Sequence, residues 1–131
     1  YEAYKKSSPN VLGVEALQGD DDCTGLKVNT ADGYADYLFS ATDMQAHHPS
    51  KRVSFCGRLG LIREKEGQIQ LMYLGCGRSL KKGNFVLESD HDVYAAIYMR
   101  HGVWYYSATG PVRVKIGKET KELNEGYNQK L

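Results

Sequence analysis

Alternation of side-chain character at every second position, interrupted by glycine-bearing turns, is the feature that most constrains how this chain folds. The alternation is clearest from Arg52 to Ser89, where the sequence reads RVSFCGRLGLIREKEGQIQLMYLGCGRSLKKGNFVLES. Successive side chains of a β-strand point to opposite faces, so this period predicts strands with one buried face. No segment carries apolar residues at the helical period over the length of a helix. The stretch therefore predicts an antiparallel sheet with the remaining strands arranged around it.

Turn residues recur along the chain at the spacing typical of β-sandwiches. We predict an all-β fold, a mainly antiparallel β-sandwich of about eight to nine strands. A chain of 131 residues has the usual size of one domain. Residues 1–9 are expected to be a linker or the end of a preceding region, and residues 10–117 the sandwich domain. Residues 118–131 are polar and are expected to form a loosely attached C-terminal tail.

Two glycine-containing turns are expected to set which side chains share a face. Three-residue loops with glycine in the left-handed position are predicted at Lys65-Glu66-Gly67 and at Arg100-His101-Gly102. If Met99 faces Val103 across the second loop, one face of that hairpin collects the aromatic residues Tyr94, Tyr98, Trp104 and Tyr106. A two-residue turn at His101-Gly102 would redistribute these faces.

Composition excludes several classes of partner. The chain has 17 Lys and Arg residues against 16 Asp and Glu residues, and no basic run is long enough to follow a phosphate backbone. No stretch approaches the roughly 20 apolar residues that a membrane-spanning helix needs. We therefore expect neither a nucleic acid nor a membrane as partner. Because the sequence opens with Tyr1 and lacks the pattern of a signal peptide, we expect it to be part of a longer or processed polypeptide.

The three cysteines, Cys23, Cys56 and Cys76, are odd in number and lack CxxC spacing. They indicate neither a disulfide framework nor a zinc site. Buried packing is the favoured interpretation, and one bridge with a spare thiol remains the alternative.

The aromatic residues of the later hairpin are the main candidates for contact with a ligand. Aromatic rings on one face stack on the apolar faces of sugar rings while their polar tips remain hydrated. The favoured alternative is that the same rings fill the core or cover an interface with a missing domain. Forked guanidinium donors suit carboxylate or sulfate groups. The predicted substrate-binding residues are Trp104, Tyr106, Tyr98, Tyr94 and Arg58.

Three polar motifs are weaker candidates. The segment His47-His48-Pro49 has the ligand types for an acidic sugar or a metal, but adjacent histidines of an extended chain diverge, which favours a plain loop. The run Asp20 to Asp22 lacks the oxygen spacing of a calcium loop and favours a solvated turn. The segment Asp90-His91-Asp92 has no nucleophile motif beside it. We predict no catalytic residue, no metal site and no cofactor.

The pattern of several strands resembles a known family. It is carried by Tyr37-Leu38-Phe39-Ser40, by the run from Val53 to Arg63, by Gln70-Leu71 and by the segment from Gly75 to Leu80. Together these resemble the C-terminal β-sandwich region of heparinase II/III-like polysaccharide lyases, over roughly Asp36 to Ile116, most of a domain of ordinary size. In that region a strand with a phenylalanine and a glycine leads into an apolar run and a charged hairpin.

The resemblance implies a setting and a role. Such lyases are bacterial, secreted or periplasmic, multidomain enzymes that cleave acidic polysaccharides by β-elimination, and their catalytic tyrosine and histidine lie mainly in other domains. No motif here matches those residues, so the resemblance implies an accessory domain without activity of its own. The implied partners are the preceding catalytic domains of the same polypeptide and, as a candidate, the acidic polysaccharide. Two alternatives remain: a freestanding carbohydrate-binding module, and a structural or adhesion domain without affinity for sugars.

Overall fold

A computed structural model describes residues 11–17, 23–50 and 52–131. The predicted linker at residues 1–9 and the acidic run at positions 20–22 lie outside these ranges. Ten antiparallel strands make up the described structure. They are β1 (Val11–Ala16), β2 (Cys23–Thr30), β3 (Tyr34–Ala41), β4 (Val53–Lys65), β5 (Gln68–Lys82), β6 (Phe85–Arg100), β7 (Val103–Ala108), β8 (Val112–Ile116), β9 (Glu119–Leu123) and β10 (Gly126–Lys130).

The strands form one sheet in the order β1-β2-β3-β4-β5-β6-β7-β10, and β8 and β9 extend it from the first part of β6. The three central strands are long enough to belong to two layers. The last part of β4, the first part of β5 and the last part of β6 pair within the first layer, together with β1, β2, β3, β7 and β10. The other ends of β4, β5 and β6 pair with one another in the second layer, where β8 pairs with β6 and β9 pairs with β8.

The two layers pack face to face around one core. Phe39, Ile62, Met72, Leu74 and Ile97 line the inner face of the first layer and are almost fully buried. Their counterparts on the second layer are the fully buried side chains Phe55, Leu80, Leu87 and Val114. The ring centroids of Phe85 and Trp104 lie 5.9 Å apart across the layers. The prediction of an all-β, antiparallel, sandwich-like fold is confirmed.

The bends of β4 and β5 occur where glycines allow close approach. Gly57 and Gly77 are paired across β4 and β5 at a position where the register shifts. A β-carbon on Gly77 would lie 2.8 Å from the Cα of Gly57, closer than real contacts allow. Cys76 adopts φ of 52°, in the left-handed region. The segment Gly75-Cys76-Gly77, whose two glycines are typical of a turn, is thus a bend within β5.

The structure differs from the expected polar tail at residues 118–131. This segment contains β9, which pairs with β8, and β10, which pairs with β7. Most of its side chains are exposed, and main-chain hydrogen bonds to the neighbouring strands hold a segment that has few apolar side chains to bury. The described chain therefore has more strands than predicted. The domain boundaries drawn from the sequence stay a prediction.

The described parts of the chain contain no helical segment with the length and apolar character that spanning a membrane requires.

Candidate functional site

The turn between β6 and β7 decides where the predicted aromatic residues point. His101 and Gly102 have φ of 52° and 77°, and Arg100 pairs with Val103. This is a two-residue turn of the kind that matches the twist of its strands, so the predicted three-residue loop is wrong. The turn at Glu66-Gly67 is likewise a two-residue turn, because Lys65 pairs with Gln68.

The observed register places Trp104 and Tyr106 on the inner face. Trp104 pairs with Met99, and Tyr106 pairs with the fully buried Ile97. The Tyr106 side chain is buried, and its hydroxyl donates a hydrogen bond of 3.1 Å to the carbonyl oxygen of Asn124. The expectation that Trp104 and Tyr106 share a face with Tyr94 and Tyr98 is wrong, because a one-residue change of register exchanges the two faces of β7.

The outer face of the first layer carries Tyr94 and Tyr98 together with tyrosines that the sequence did not single out. Tyr73, Tyr94 and Tyr127 border a shallow groove of about 220 Å³. Small residues form its floor, namely Ala96, Ser107, Thr109 and Gly126. Tyr94 is 54% exposed and Tyr127 is 77% exposed. We call this feature the tyrosine groove; its open rings above a small-residue floor suit it to a flat ring-shaped ligand.

A second aromatic feature lies beside the groove on the same face. The ring centroids of Tyr98 and Tyr105 are 6.0 Å apart, with 16° between the ring planes. The Tyr98 hydroxyl donates a hydrogen bond to the side-chain oxygen of Asn128, which also accepts one from Ser107. These contacts hold the pair, which we call the tyrosine stack, in place between β6, β7 and β10.

Several arginines are committed to carboxylates. Arg63 donates two hydrogen bonds to Asp36, at 2.7 and 2.8 Å, Arg78 pairs with Asp92 at 2.8 Å, and Arg113 lies 3.3 Å from both Glu88 and Asp90. The hydrogen bond from Arg113 lowers the pKa of Asp90 below its ordinary value.

Other arginines form no ion pair with a carboxylate of the described residues. Arg58, the predicted substrate-binding arginine, is exposed and forms no ion pair with another described residue. The same holds for Arg100, at the end of β6. Arg58 lies at the bend of β4, opposite the bend of β5, and it does not line the tyrosine groove.

An open cleft of about 560 Å³ separates the edges of the two layers. Trp104 and Val103 line it from the first layer, and Val114, Ile116 and Lys121 line it from the second. The half-buried indole of Trp104 contacts Phe85 in this region. Trp104 therefore serves the packing of the two layers, which agrees with the favoured core interpretation.

The loop before β4 has a structural role. The main chain of His47 exchanges two hydrogen bonds with Phe55, at 2.7 and 2.9 Å. The buried His47 ring donates from Nε2 to the carboxylate of Asp43 at 2.6 Å, and this hydrogen bond lowers the pKa of Asp43. The segment His47-His48-Pro49 thus closes a loop over the end of the second layer.

In the candidate segment Asp90-His91-Asp92, the main-chain N–H of His91 donates to the hydroxyl of Ser89 at 3.2 Å. Ser89, buried at the bend of β6, donates to the carbonyl oxygen of Pro111 at 2.7 Å. Within the described ranges, no group of three His, Cys, Asp or Glu side chains is placed to hold a metal ion. Cys56 and Cys76 form no disulfide bond. Burial raises the pKa of Cys56, whose thiol donates to the carbonyl oxygen of Met44 at 3.2 Å.

Tyr73, Tyr105 and Tyr127 are the groove and stack residues that sequence analysis missed. A signal for Tyr105 was present, because His101-Gly102 satisfies the residue preference of a two-residue turn at its second position. Tyr127 lies in the segment expected to be a loose tail. Only pairing of β10 with β7 brings it to the groove.

Comparison with known proteins gives one family and one curated relative above the significance limit. The sequence model described as "Endo-acting ulvan lyase C-terminal domain" matches residues 11–99. A curated relative from Formosa agariphila, named endo-acting ulvan lyase, is 32% identical over 96 residues, which cover 69% of this chain and 12% of the relative. The chain thus matches about an eighth of the relative's length. No solved structure matches significantly.

Proposed function

Because this chain belongs to the family of endo-acting ulvan lyase C-terminal domains, we propose that it serves a polysaccharide lyase as an accessory, non-catalytic domain that contacts an acidic polysaccharide through the tyrosine groove. The family membership confirms the prediction of a polysaccharide lyase C-terminal domain. The narrower heparinase II/III-like assignment stays part of the proposal, and it rests on the strand pattern from Tyr37 to Leu80. It implies a helical catalytic region ahead of this domain.

The observation that carries the proposal is the tyrosine groove itself. Sugar rings have apolar faces of axial hydrogens and a polar rim of hydroxyls, and tyrosine offers an apolar ring with a polar tip. The exposed rings of Tyr94 and Tyr127 stand at the sides of a floor made of small residues. A pyranose that enters the groove buries its apolar face while its hydroxyls reach the phenol groups and the hydroxyls of Ser107 and Thr109.

The chemistry of the groove favours binding over bond cleavage. β-Elimination requires a base, an acid and a group that neutralises the substrate carboxylate, all held in one cleft. The described residues that line the groove include no charged side chain. We therefore assign bond cleavage to other domains of the parent protein.

A patch next to the groove supports attachment to those domains. Leu26, Leu38 and Leu61 follow one another across β2, β3 and β4, and Leu61 pairs with Tyr73 at the groove. Val14 and Leu59 are 59% and 46% exposed near this row. We propose that this aliphatic patch packs on the preceding domains of the same polypeptide, because contiguous exposed apolar side chains mark interaction surfaces.

We place the parent protein outside the cytoplasm, secreted or in the periplasm of a bacterium. The reason is the size of the substrate, because a polysaccharide is too large to enter a cell intact and is degraded outside it.

Binding measurements on the isolated chain test the proposal. Isothermal titration calorimetry with ulvan and with alginate is expected to show saturable binding. Replacing Tyr94 and Tyr127 by alanine should weaken that binding by about tenfold or more, because each substitution removes an exposed aromatic contact. Trp104→Phe is the matched control, since its ring lies on the inner face and binding should persist. Undiminished affinity in a folded Tyr94→Ala/Tyr127→Ala variant would contradict the role of the groove.

The same experiments separate the alternatives. Absence of binding to every polysaccharide would leave an accessory domain without sugar contact, or a structural or adhesion domain. Two results together would indicate a freestanding module. The chain would bind polysaccharide equally well with and without its preceding domains, and substitutions in the aliphatic patch would not change its association with them. Release of an unsaturated product by this chain alone, followed by its ultraviolet absorbance, would contradict the non-catalytic assignment.

A further inference from the structure

The guanidinium group of Arg100 is presented beside the tyrosine stack without a carboxylate partner. Its central carbon lies 5.6 Å from the ring centroid of Tyr98 and 5.8 Å from that of Tyr105. Its side chain is exposed, and no ion pair joins it to another residue in the described ranges. Stacking beside aromatic rings fixes the plane of a guanidinium while its N–H donors remain available at the edge.

A second cation lies on the other side of the same aromatic pair. Lys130 of β10 pairs with Tyr105 and therefore shares the outer face with it. Lys130 is exposed, and within the described chain it too forms no ion pair. Arg100 and Lys130 thus flank the tyrosine stack on β6 and β10, whereas Arg63 on the same face is held by Asp36.

The tyrosine groove and the tyrosine stack are neighbours along the same two strands. Ala96 and Ser107 form a pair in the groove floor, and Tyr98 and Tyr105 form the next outward-facing pair along the same strands. Two residues along a strand correspond to about 7 Å. A polysaccharide that extends from the groove along these strands therefore passes over the stack, beside the two cations.

We infer that Arg100 and Lys130 form an anion subsite that gives this domain its preference for polysaccharides with carboxylate or sulfate groups. The inference rests on the proposed function, since it assigns a substrate class to the tyrosine groove. A carboxylate and a sulfate both have anionic oxygens that accept paired hydrogen bonds from one guanidinium group. Binding by this subsite weakens as salt rises, because exposed charges are screened.

Titration of the whole chain with three polysaccharides tests the subsite. Alginate carries carboxylates only, carrageenan carries sulfates only, and hydroxyethyl cellulose is neutral. Arg100→Gln/Lys130→Gln should lower the affinity for an acidic polysaccharide by about tenfold, since charge-assisted hydrogen bonds are lost. The variant should also show a smaller loss of affinity between low and high salt. Arg100→Lys keeps the charge and should restore part of the affinity.

The control and the outcomes separate this inference from the proposed function. Arg78→Gln removes a cation that is paired with Asp92 at the strand bend, and it should leave the affinity unchanged. Loss on alginate alone identifies a carboxylate as the ligand, and loss on carrageenan alone identifies a sulfate; either supports the subsite. Unchanged affinity and salt dependence in Arg100→Gln/Lys130→Gln, with binding still lost in Tyr94→Ala/Tyr127→Ala, would overturn the subsite and leave the proposed function standing. A wild-type chain that binds none of the polysaccharides would overturn the proposed function itself.

Discussion

Gly57 and Gly77 meet across β4 and β5 at the point where both strands pass from one layer to the other. A β-carbon on Gly77 would lie 2.6 Å from Cδ1 of Leu74, 2.8 Å from the carbonyl oxygen of Cys56 and 2.8 Å from the Cα of Gly57. Two of these three atoms belong to the backbone, so rotation of a side chain cannot relieve the contact. The close approach of these two glycines is what lets one sheet fold over its own core.

Gly77→Ala should therefore destabilise the domain by about 1–3 kcal/mol, the usual cost of overpacking. The midpoint of urea unfolding, followed by the fluorescence of Trp104, measures this change. Gly13→Ala is the control, because a β-carbon there meets nothing within 4 Å and its stability should change little. Equal stability of the Gly77→Ala variant and the wild type would show that the bend does not need this contact.

Lys82 and Glu64 form an ion pair between the layers, with side chains that are 20% and 13% exposed. The Lys82 ammonium also lies 4.0 Å from the ring centroid of Tyr37. Lys82→Met should lower the free energy of unfolding by about 1–3 kcal/mol, because it leaves the Glu64 carboxylate partly buried without its partner. The loss should be smaller than for breaking a fully buried pair. Restored stability in Lys82→Met/Glu64→Leu would identify the uncompensated charge as the cause.

The control for the ion pair is Arg78→Gln. The Arg78 and Asp92 side chains are about half exposed, and such pairs contribute about 0–1 kcal/mol. If Arg78→Gln and Lys82→Met reduce the free energy of unfolding equally, burial of the inter-layer pair is not the source of its effect.

The depressed pKa of Asp43 predicts how stability depends on pH. A carboxyl group whose pKa is lower in the folded state stabilises the fold at pH values above 3.8, its pKa in the unfolded chain. This contribution is lost as the pH falls through the pKa of the folded state. Asp43→Asn should be less stable than the wild type at neutral pH, and the difference should shrink as the solution is acidified. Unfolding midpoints measured at neutral and acid pH test this; a difference that stays constant with pH would contradict it.

The turn residue His101 has φ of 52°, a conformation that asparagine adopts more readily. His101→Asn should stabilise the domain by roughly 0.5 kcal/mol, because the two-residue turn then has its preferred Asn-Gly sequence. Thermal unfolding should show a rise of the melting temperature of roughly 2 °C. Gly102→Ala should lower the melting temperature, because Gly102 has φ of 77°, in the left-handed region that favours glycine.

Much of the fold follows from local patterns in the chain. The alternation of Val112, Val114 and Ile116 with charged residues is typical of a half-buried strand, and β8 buries Val112 and Val114. The second strand of the later hairpin coincides with β7, whereas its first strand forms only the last part of β6, which begins at Phe85. The continuity of β5 and β6 was not predicted, because Gly75-Cys76-Gly77 and Asp90-His91 carry turn residues, and only the packing of the two layers keeps the chain extended through them.

The candidate site was predicted in part. Tyr94 and Tyr98 lie on the outer face, whereas Trp104 and Tyr106 lie on the inner face. Tyr73 and Tyr127 come to the same groove from β5 and β10, which are far apart in sequence. No local pattern links these two residues, because their proximity results from the order of strands in the sheet.

The sequence by itself determined that this chain is an antiparallel β-structure with turns at its glycines, since period-two alternation and backbone freedom are local properties. The tertiary structure decided which side chains form the surface. A shift of one residue at the His101-Gly102 turn exchanges the faces of β7, and pairing of β10 with β7 converts an apparent tail into one wall of the tyrosine groove. The pairing of β10 with β7 depends on contacts between strands that are separated in sequence, which no single segment contains.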